Sequence, residues 1–483
     1  MTEFSTRRTL MLRIILKKEL HDNFLNLRLI SLCAIAIVLI VSSIIVLTGQ
    51  YRDDLNDTHS RISTQNEFID RYGHANRIGW MSVLFREPSP WRPFITGIDR
   101  DASQENFINN PIPALLSRLD VVSIIAIIMS LIAVIIAHNG VSGERESGML
   151  KLMLSMSVPR STILLGKFIA GLITLSIPCT LGILLGLAYL SITVGIEFDI
   201  LTLGVFGFFL FLALLYVQAF YGLGLLISAR SHSSNVAVLK SLFAWVVLVL
   251  ALPNISPFLA AQMYTIPSRA RHEHELRKIE SEDRDARIRQ QMVTAQKEIF
   301  PDGSLPEGIS RSEIQERMSR DPVFRERYTA FMKRFDAIAR QVNIEQRRIG
   351  DALREDFNNR SRNQELLAIG LASLSPLSNF VFAATDAADV GLESDAEWEA
   401  QAGRYNRSLR EYVDKRYEEA KASDPSFSVN DYLDLRARPR FQFQPPPLGT
   451  RIVRIILPTA ILAGFNLLFF VAAFVSFLRY DVR

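Results

Sequence analysis

The way charge is distributed along this chain constrains its fold more than any other feature. Six stretches of about 20 residues or more are almost free of charge, and the segments between them are crowded with Arg, Lys, Asp and Glu. A helix crossing a bilayer needs about 20 apolar residues, because each adds about 1.5 Å across a hydrocarbon core about 30 Å thick. Residues 29–48, 121–141, 168–196 and 201–229 meet this length with no charge, 236–255 meets it with Lys240 alone, and 455–478 completes the set. Core helices of water-soluble proteins rarely stay uncharged over such lengths. The overall figures of 49% hydrophobic and 22% charged residues therefore describe neither kind of segment. The net charge of +4 is too small to argue for a nucleic-acid partner. Cys33 and Cys179 both fall inside apolar runs and cannot build a disulfide framework.

The pattern predicts an all-α, polytopic membrane protein with six transmembrane helices and a mostly helical extracytoplasmic domain. Lysine and arginine in short loops set orientation. They concentrate in 1–28, in the 142–167 loop, at Arg230 and in the tail (Arg479 and Arg483), whereas the 197–200 link carries Glu197 and Asp199. Both termini and the 142–167 loop are therefore expected in the cytoplasm, and 49–120 and 256–450 outside it. The retained first span and this orientation suit a multi-pass protein of a bacterial inner membrane. Residues 366–385 are apolar but interrupted by Ser373, Ser375, Pro376, Ser378 and Asn379. They read as a helix or re-entrant segment at the outer membrane surface, not a seventh span. The basic and apolar mixture of 10–27 suits an interfacial helix within 1–28.

Outside the spans, 268–365 is dominated by charge, with Tyr328, Phe331, Met332, Phe335, Ile338 and Val342 at helical spacing. Asp302-Gly303 marks a break between helices, 395–422 reads as helical, and the prolines of 439–447 predict an extended segment. The domain reads either as a solvated helical bundle or as a docking surface for an extracytoplasmic protein. Within the spans, Thr174, Ser176, Thr180, Tyr216, Gln218 and Tyr221 are polar. Interhelical hydrogen bonding or a substrate pathway would account for them. Pro178 is expected to kink the third span.

Catalytic signatures are missing. Leu165-Gly166-Lys167-Phe168 lacks the upstream glycine and the hydroxyl residue of a phosphate-binding loop. His272 and His274 sit two residues apart, which points their rings away from each other on a helix, so no metal site is expected. Lys240 next to Ser241 offers no dyad, since adjacent helical residues do not face each other. No catalytic or cofactor-binding motif is legible in the chain.

The most informative segment is the loop after the second span. It runs Gly143-Glu144-Arg145-Glu146-Ser147-Gly148-Met149-Leu150 and continues through Leu152, Leu154, Ser155, Val158 and Arg160 to Leu164-Leu165-Gly166-Lys167. On composition it is equally a solvated connector or a short helix presented to a partner. This loop resembles that of ABC-2 type transporter permeases, in particular the branch associated with copper-enzyme maturation. It departs from the pattern where Met149 stands for the usual threonine and where Ser157 and Pro159 exchange the usual proline and serine. The ending Phe477-Leu478-Arg479-Tyr480-Asp481-Val482-Arg483 and the large insertion before the last span are similar to the same branch.

The resemblance implies a division of labour. A separate cytoplasmic ABC ATPase dimer would bind ATP and Mg2+, and Gly143, Glu144, Arg145, Glu146, Ser147, Gly148 and Leu150 would couple to it. Two permease halves, identical or sister chains, would form the transporter in the lipid bilayer. Export of a substrate is one expectation. Mechanical action on an extracytoplasmic partner, with nothing transported, is the alternative. A sensor or anchor without an ATPase is a third. Copper enters only through the family, since no methionine or histidine ladder supports it.

Overall fold

The computed structural model describes residues 2–74, 82–97, 119–155, 159–194, 200–305, 309–424, 427 and 431–479. Glu197, Asp199, Ser157, Val158 and the 480–483 tail lie outside them. Regular structure among the described residues is helical, and a lone backbone bridge joins His74 to Tyr432. Two compact units result: residues 1–254 with 372–483, and residues 255–371.

The first unit begins with α1 (Thr2–Leu25). Asn26 then breaks the helix and caps α2 (Leu27–Tyr72), its side chain accepting from the Arg28 and Leu29 amides. α3 runs through Val121–Ile124, a wider π turn at Ile125–Met129, and Ser130–Ala137. Two short helices follow, α4 (Ser142–Glu146) and α5 (Met149–Ser155), then α6 (Arg160–Val194) and α7 (Ile200–Arg230). α8 covers Ser234–Trp245, a π turn at Val246–Ala251, and Leu252–Met263. Six helices, α2, α3, α6, α7, α8 and the last one, are long and apolar enough to cross a membrane. All but α3 are longer than their apolar runs, because helical hydrogen bonding continues past them; α2 carries on for 24 residues past Thr48, to Tyr72.

α7 is the central helix, packed against α3, α6, α8 and the two helices that close the unit, α12 (Pro376–Ala387) and α14 (Leu448–Leu478). α12 has 12 residues, too few for a crossing. Pro376 and the Ser375 cap start it, the Ser375 hydroxyl accepting from the Leu377 amide and donating to the Leu248 carbonyl at the π turn of α8. Phe380 on α12 is buried and stacks on Tyr216, midway along α7, with ring centroids 4.7 Å apart. The interrupted 366–385 stretch is thus a helix break followed by a short helix buried against spans. α6 continues as one helix through Pro178.

Close helix approach depends on missing side chains. Gly182 and Gly186, four residues apart on α6, face Ile40 and Ile44 of α2; a Cβ at Gly186 would lie 2.0 Å from Ile44 Cδ1. At Gly171 a Cβ would stand 2.2 Å from the Tyr221 ring of α7. That ring is pinned by its hydroxyl, which donates to the Lys167 carbonyl at 3.0 Å. Gly171→Ala is therefore expected to cost about 1–3 kcal/mol by overpacking. Thermal unfolding of the purified chain measures it, and the change should cost less in a Tyr221→Ala background, where the ring it meets is gone, than in the parent chain.

α13 (Leu392–Ser423) and the non-helical segment 431–447 pack with the end of α2. Ile69, Leu409, Val413, Leu433 and Leu435 form the buried apolar cluster there. The prolines of 445–447 deny the segment helical hydrogen bonds, as expected.

The second unit holds α9 (the helical run from Arg269 to Ile299), α10 (Arg311–Arg320) and most of α11 (Pro322–Ala372). The chain turns at Gly303, whose φ of +69° suits only glycine without strain. Phe300, Phe324 and Phe331 pack there with Ala295 and Leu305. His272 is buried and stacked on Phe357, centroids 4.1 Å apart. Of the expected apolar face, Phe331 and Val342 are buried and Met332 is exposed. Exposed pairs such as Arg287 with Glu345 at 3.3 Å add little, so the aromatic contacts carry the packing.

Candidate functional site: the charged junction beneath the 142–167 loop

The residues between α3 and α6 build a junction in which each charged side chain of the Glu144-Arg145-Glu146 run contacts a different helix. Glu144 accepts from Lys18 Nζ at 2.7 Å and faces Lys167 Nζ at 2.8 Å. Lys167 also donates to Glu19 at 2.7 Å, and Lys18 lies 3.3 Å from Glu19. Two ammonium groups and two largely buried carboxylates thus form a cluster joining α1, α4 and α6, with the exposed Asp22 at its edge, 3.9 Å from Lys18. Lys167 has a side chain only 2% exposed, and Glu144 and Glu19 are largely buried as well. Charges this deep persist only when paired.

The titration of the cluster follows from these contacts. Burial works to raise the Glu19 carboxyl, but the charge and hydrogen bond of Lys167, then those of Lys18, outweigh it and hold the group below its ordinary value. Burial works to lower the Lys18 ammonium, but the hydrogen bond and charge of Glu144, then of Glu19, raise it above the ordinary lysine value.

Arg145 donates to the Ser231 carbonyl at 2.7 Å and the Ala229 carbonyl at 3.1 Å, satisfying acceptors left over at the end of α7. Glu146 accepts from the Ser234 amide at 3.2 Å, placing a carboxylate at the positive start of α8. Ser228 Oγ accepts from the Val141 and Ser142 amides at 3.0 Å each. Arg160 donates to the Leu478 carbonyl at 2.6 Å and so ties the start of α6 to the end of α14. The motif therefore holds helix ends together.

Its two glycines serve different purposes. Gly148 has φ +73° and makes the turn between α4 and α5. Gly143 lies within α4, and a Cβ there would stand 2.0 Å from Asn139 Oδ1, which accepts from Ser234 Oγ at 2.6 Å. Leu150 is buried with Ile15, Val141, Ile163, Leu164 and Phe477. The other side of α5 is open: Met149 is 45% and Leu152 62% exposed, next to exposed Glu146, Ser147 and Lys151. Lys18 and Glu19 stood in the sequence as charges of the expected interfacial helix and Lys167 as a loop charge, and Asn139, Ser228 and Ser234 gave no signal. Glu19 stands next to Lys18 in the sequence, but the 126 positions separating Lys18 from Glu144 were not bridged by any periodicity.

Most polar residues of the spans bond to neighbouring backbone, and Tyr221 does so at the cluster's own Lys167. Tyr216 donates to the Ala126 carbonyl in the α3 π turn at 2.7 Å, Gln218 to Phe168 at 2.9 Å, and Tyr221 to Lys167. Thr174 accepts from Asn23 at 3.1 Å, Ser176 donates within its own helix, and Thr180 is half-buried. Lys240 is exposed. Among the described residues no cluster of three or more His, Cys, Asp or Glu could hold a metal ion.

Fold and junction together define an all-α polytopic membrane protein whose interhelical ends are locked by one short loop. Residues 13–482 match the ABC-2 family transporter protein family, and the chain belongs to it. Two curated relatives carry the name Probable ABC transporter permease protein NosY. The one from Pseudomonas aeruginosa is 33% identical over 140 residues, covering 29% of this chain and 50% of the relative. The one from Stutzerimonas stutzeri is 31% identical over 142 residues, with the same coverage. The chain thus spans about half the length of the curated relatives it matches.

Proposed function

We propose that the chain is the membrane-embedded permease subunit of an ATP-driven ABC exporter, and that α5 is the surface on which a separate cytoplasmic ATPase docks. The reading places the 142–167 loop and both termini in the cytoplasm. ATP and Mg2+ belong to the ATPase dimer, and a second permease copy or a sister permease completes the assembly. One observation carries it: exposed Met149 and Leu152 sit on a short helix whose reverse face and neighbours are anchored to α1, α6, α7 and α8. A push on α5 is then transmitted to several helices at once.

This moves the coupling role within the motif. Glu144 and Arg145 act as anchors, and the docking contact falls to Met149, Leu152 and their exposed neighbours. Met149→Glu with Leu152→Glu is expected to lower association with the co-expressed ATPase about tenfold or more, by placing charge in an apolar contact. The stability of the isolated chain should change by no more than about 0.5 kcal/mol, as for other surface substitutions. Unchanged co-purification and ATP turnover would sink the docking assignment.

One observation favours the mechanical alternative. At the opposite end of the bundle the first turns of α14 are ion-paired to the helical domain, Arg454 to Glu397 and Arg451 to Asp389 at 3.3 Å. Movement of that span would pull on α13, with or without a transported substrate. Substrate flux measured in vesicles beside ATP turnover separates the two: turnover without flux for any candidate substrate favours the mechanical reading.

A further inference from the structure

We propose that the cleft between α13 and the 440–447 segment is a binding site for a small organic dianion, a dicarboxylate by chemistry. The cleft has a volume of about 590 Å³, within the range of small-molecule sites. Glu397, Gln401, Arg404 and Tyr405 share one face of α13 and form one wall. Residues 440–447 form the other.

The second wall is fixed before any ligand arrives. Gln401 Nε2 donates to the Gln444 carbonyl at 2.8 Å, and its Oε1 accepts from the Gln444 amide at 3.0 Å, as a strand partner would. The Tyr405 hydroxyl donates to the Pro439 carbonyl at 3.1 Å, and the Phe441 ring packs against Tyr405 with centroids 5.4 Å apart. Pro445, Pro446 and Pro447 stiffen the rest. A site held in this way loses little entropy on binding.

Charge selects the occupant. Arg404 and Arg440 both line the cleft, and neither reaches a carboxylate among the described residues. Their neighbours Arg416, Arg438, Arg451 and Arg454 each hold one. The nearby acids are engaged, Glu397 by Arg454, Glu67 by Arg71 and Asp70 by Arg438, and Glu87 does not line the cleft. Two uncompensated guanidiniums over an aromatic wall match two carboxylates joined by a short apolar body, since guanidinium binds carboxylate through paired hydrogen bonds. Thr450, in the first turn of α14, also lines the cleft, so an occupant would touch the start of the last span.

The experiment is titration of the full chain, purified in detergent, with succinate and glutarate, read by calorimetry and by thermal unfolding. Succinamide is the neutral control. Saturable binding of a dicarboxylate, absent for succinamide and weakened about tenfold or more in the Arg404→Ala, Arg440→Ala double variant, is expected. Arg407→Ala with Arg410→Ala, exposed on the same helix away from the cleft, should leave binding unchanged. The double variant's own unfolding midpoint shows that it is folded. No saturable binding of either acid, equal binding of succinamide, or unaltered binding in the double variant would overturn the assignment.

Discussion

Lys167→Met is expected to destabilise the chain by about 3–5 kcal/mol, the cost of removing one partner from a buried ionic cluster. The side chain is 2% exposed and its ammonium lies 2.7 Å from Glu19 and 2.8 Å from Glu144. Without it two largely buried carboxylates face each other with only Lys18, itself part-exposed, to balance them. Thermal unfolding in detergent gives the effect. Lys167→Met combined with Glu19→Gln should be less harmful than the sum of the single changes, because the second removes a charge the first left unpaired. Strict additivity would show that the cluster is not energetically coupled. The sign of its pH dependence is set as well. Glu19 is held below its ordinary value, so its contribution is present above the ordinary carboxylate pKa and lost only as pH falls through the lowered one. Lys18 is raised, so its contribution is present below the ordinary lysine pKa and lost only as pH rises through the raised one. The unfolding midpoint should therefore be insensitive to these two groups between about pH 5 and pH 10. The same substitution frees α6 from α1 and α4. If α5 receives the ATPase, Lys167→Met should also uncouple ATP turnover from movement of the spans.

The spans were legible because a bilayer imposes a length and a polarity that few other environments impose, and 168–196 or 201–229 can satisfy them in hardly any other way. Their ends were less legible. Helix hydrogen bonding does not stop where hydrophobicity does, so α2 runs on through Arg52, Asp53 and Asp54 to Tyr72. The 366–385 stretch showed its interruption through Ser375 and Pro376. Nothing in it revealed that Phe380 would stack on Tyr216, because that contact joins positions 164 residues apart (380 − 216). The loop motif is the sharper case. Gly148 could be read from the sequence as a turn, since glycine before an apolar helix commonly makes one. Glu144 could not be read as an anchor, because its partners come from α1 and α6 and a carboxylate in a polar loop looks the same whether paired or free. Residue type located the junction, and three-dimensional pairing alone assigned each charge to a helix.

The same logic applies at the other end of the bundle, where Arg438→Met is expected to cost about 3–5 kcal/mol and to release the 431–447 segment. The Arg438 side chain is 2% exposed and is ion-paired to Asp70 of α2. It also donates to Asn66 Oδ1 at 2.7 Å and to the Leu435 carbonyl at 3.1 Å, so its guanidinium fastens the segment to both side chain and backbone. Weaker ties surround it. The Leu433 amide donates to the Gly73 carbonyl at 2.8 Å and the Tyr432 hydroxyl to the Asp70 carbonyl at 2.9 Å. Methionine preserves most of the volume, so the loss should come from stranding Asp70 and Asn66 and not from a cavity. Asp70→Asn, which keeps an acceptor, should cost less than Arg438→Met, and the pair Arg438→Met with Asp70→Leu should recover stability by replacing the ion pair with apolar contact. Limited proteolysis followed by mass spectrometry reads the segment directly: cleavage at Arg436 and Arg440 should accelerate in Arg438→Met before any cut appears in α13. Equal cleavage rates in the variant and the parent chain would show that the apolar cluster of Ile69, Leu409, Val413, Leu433 and Leu435 holds the segment without the arginine.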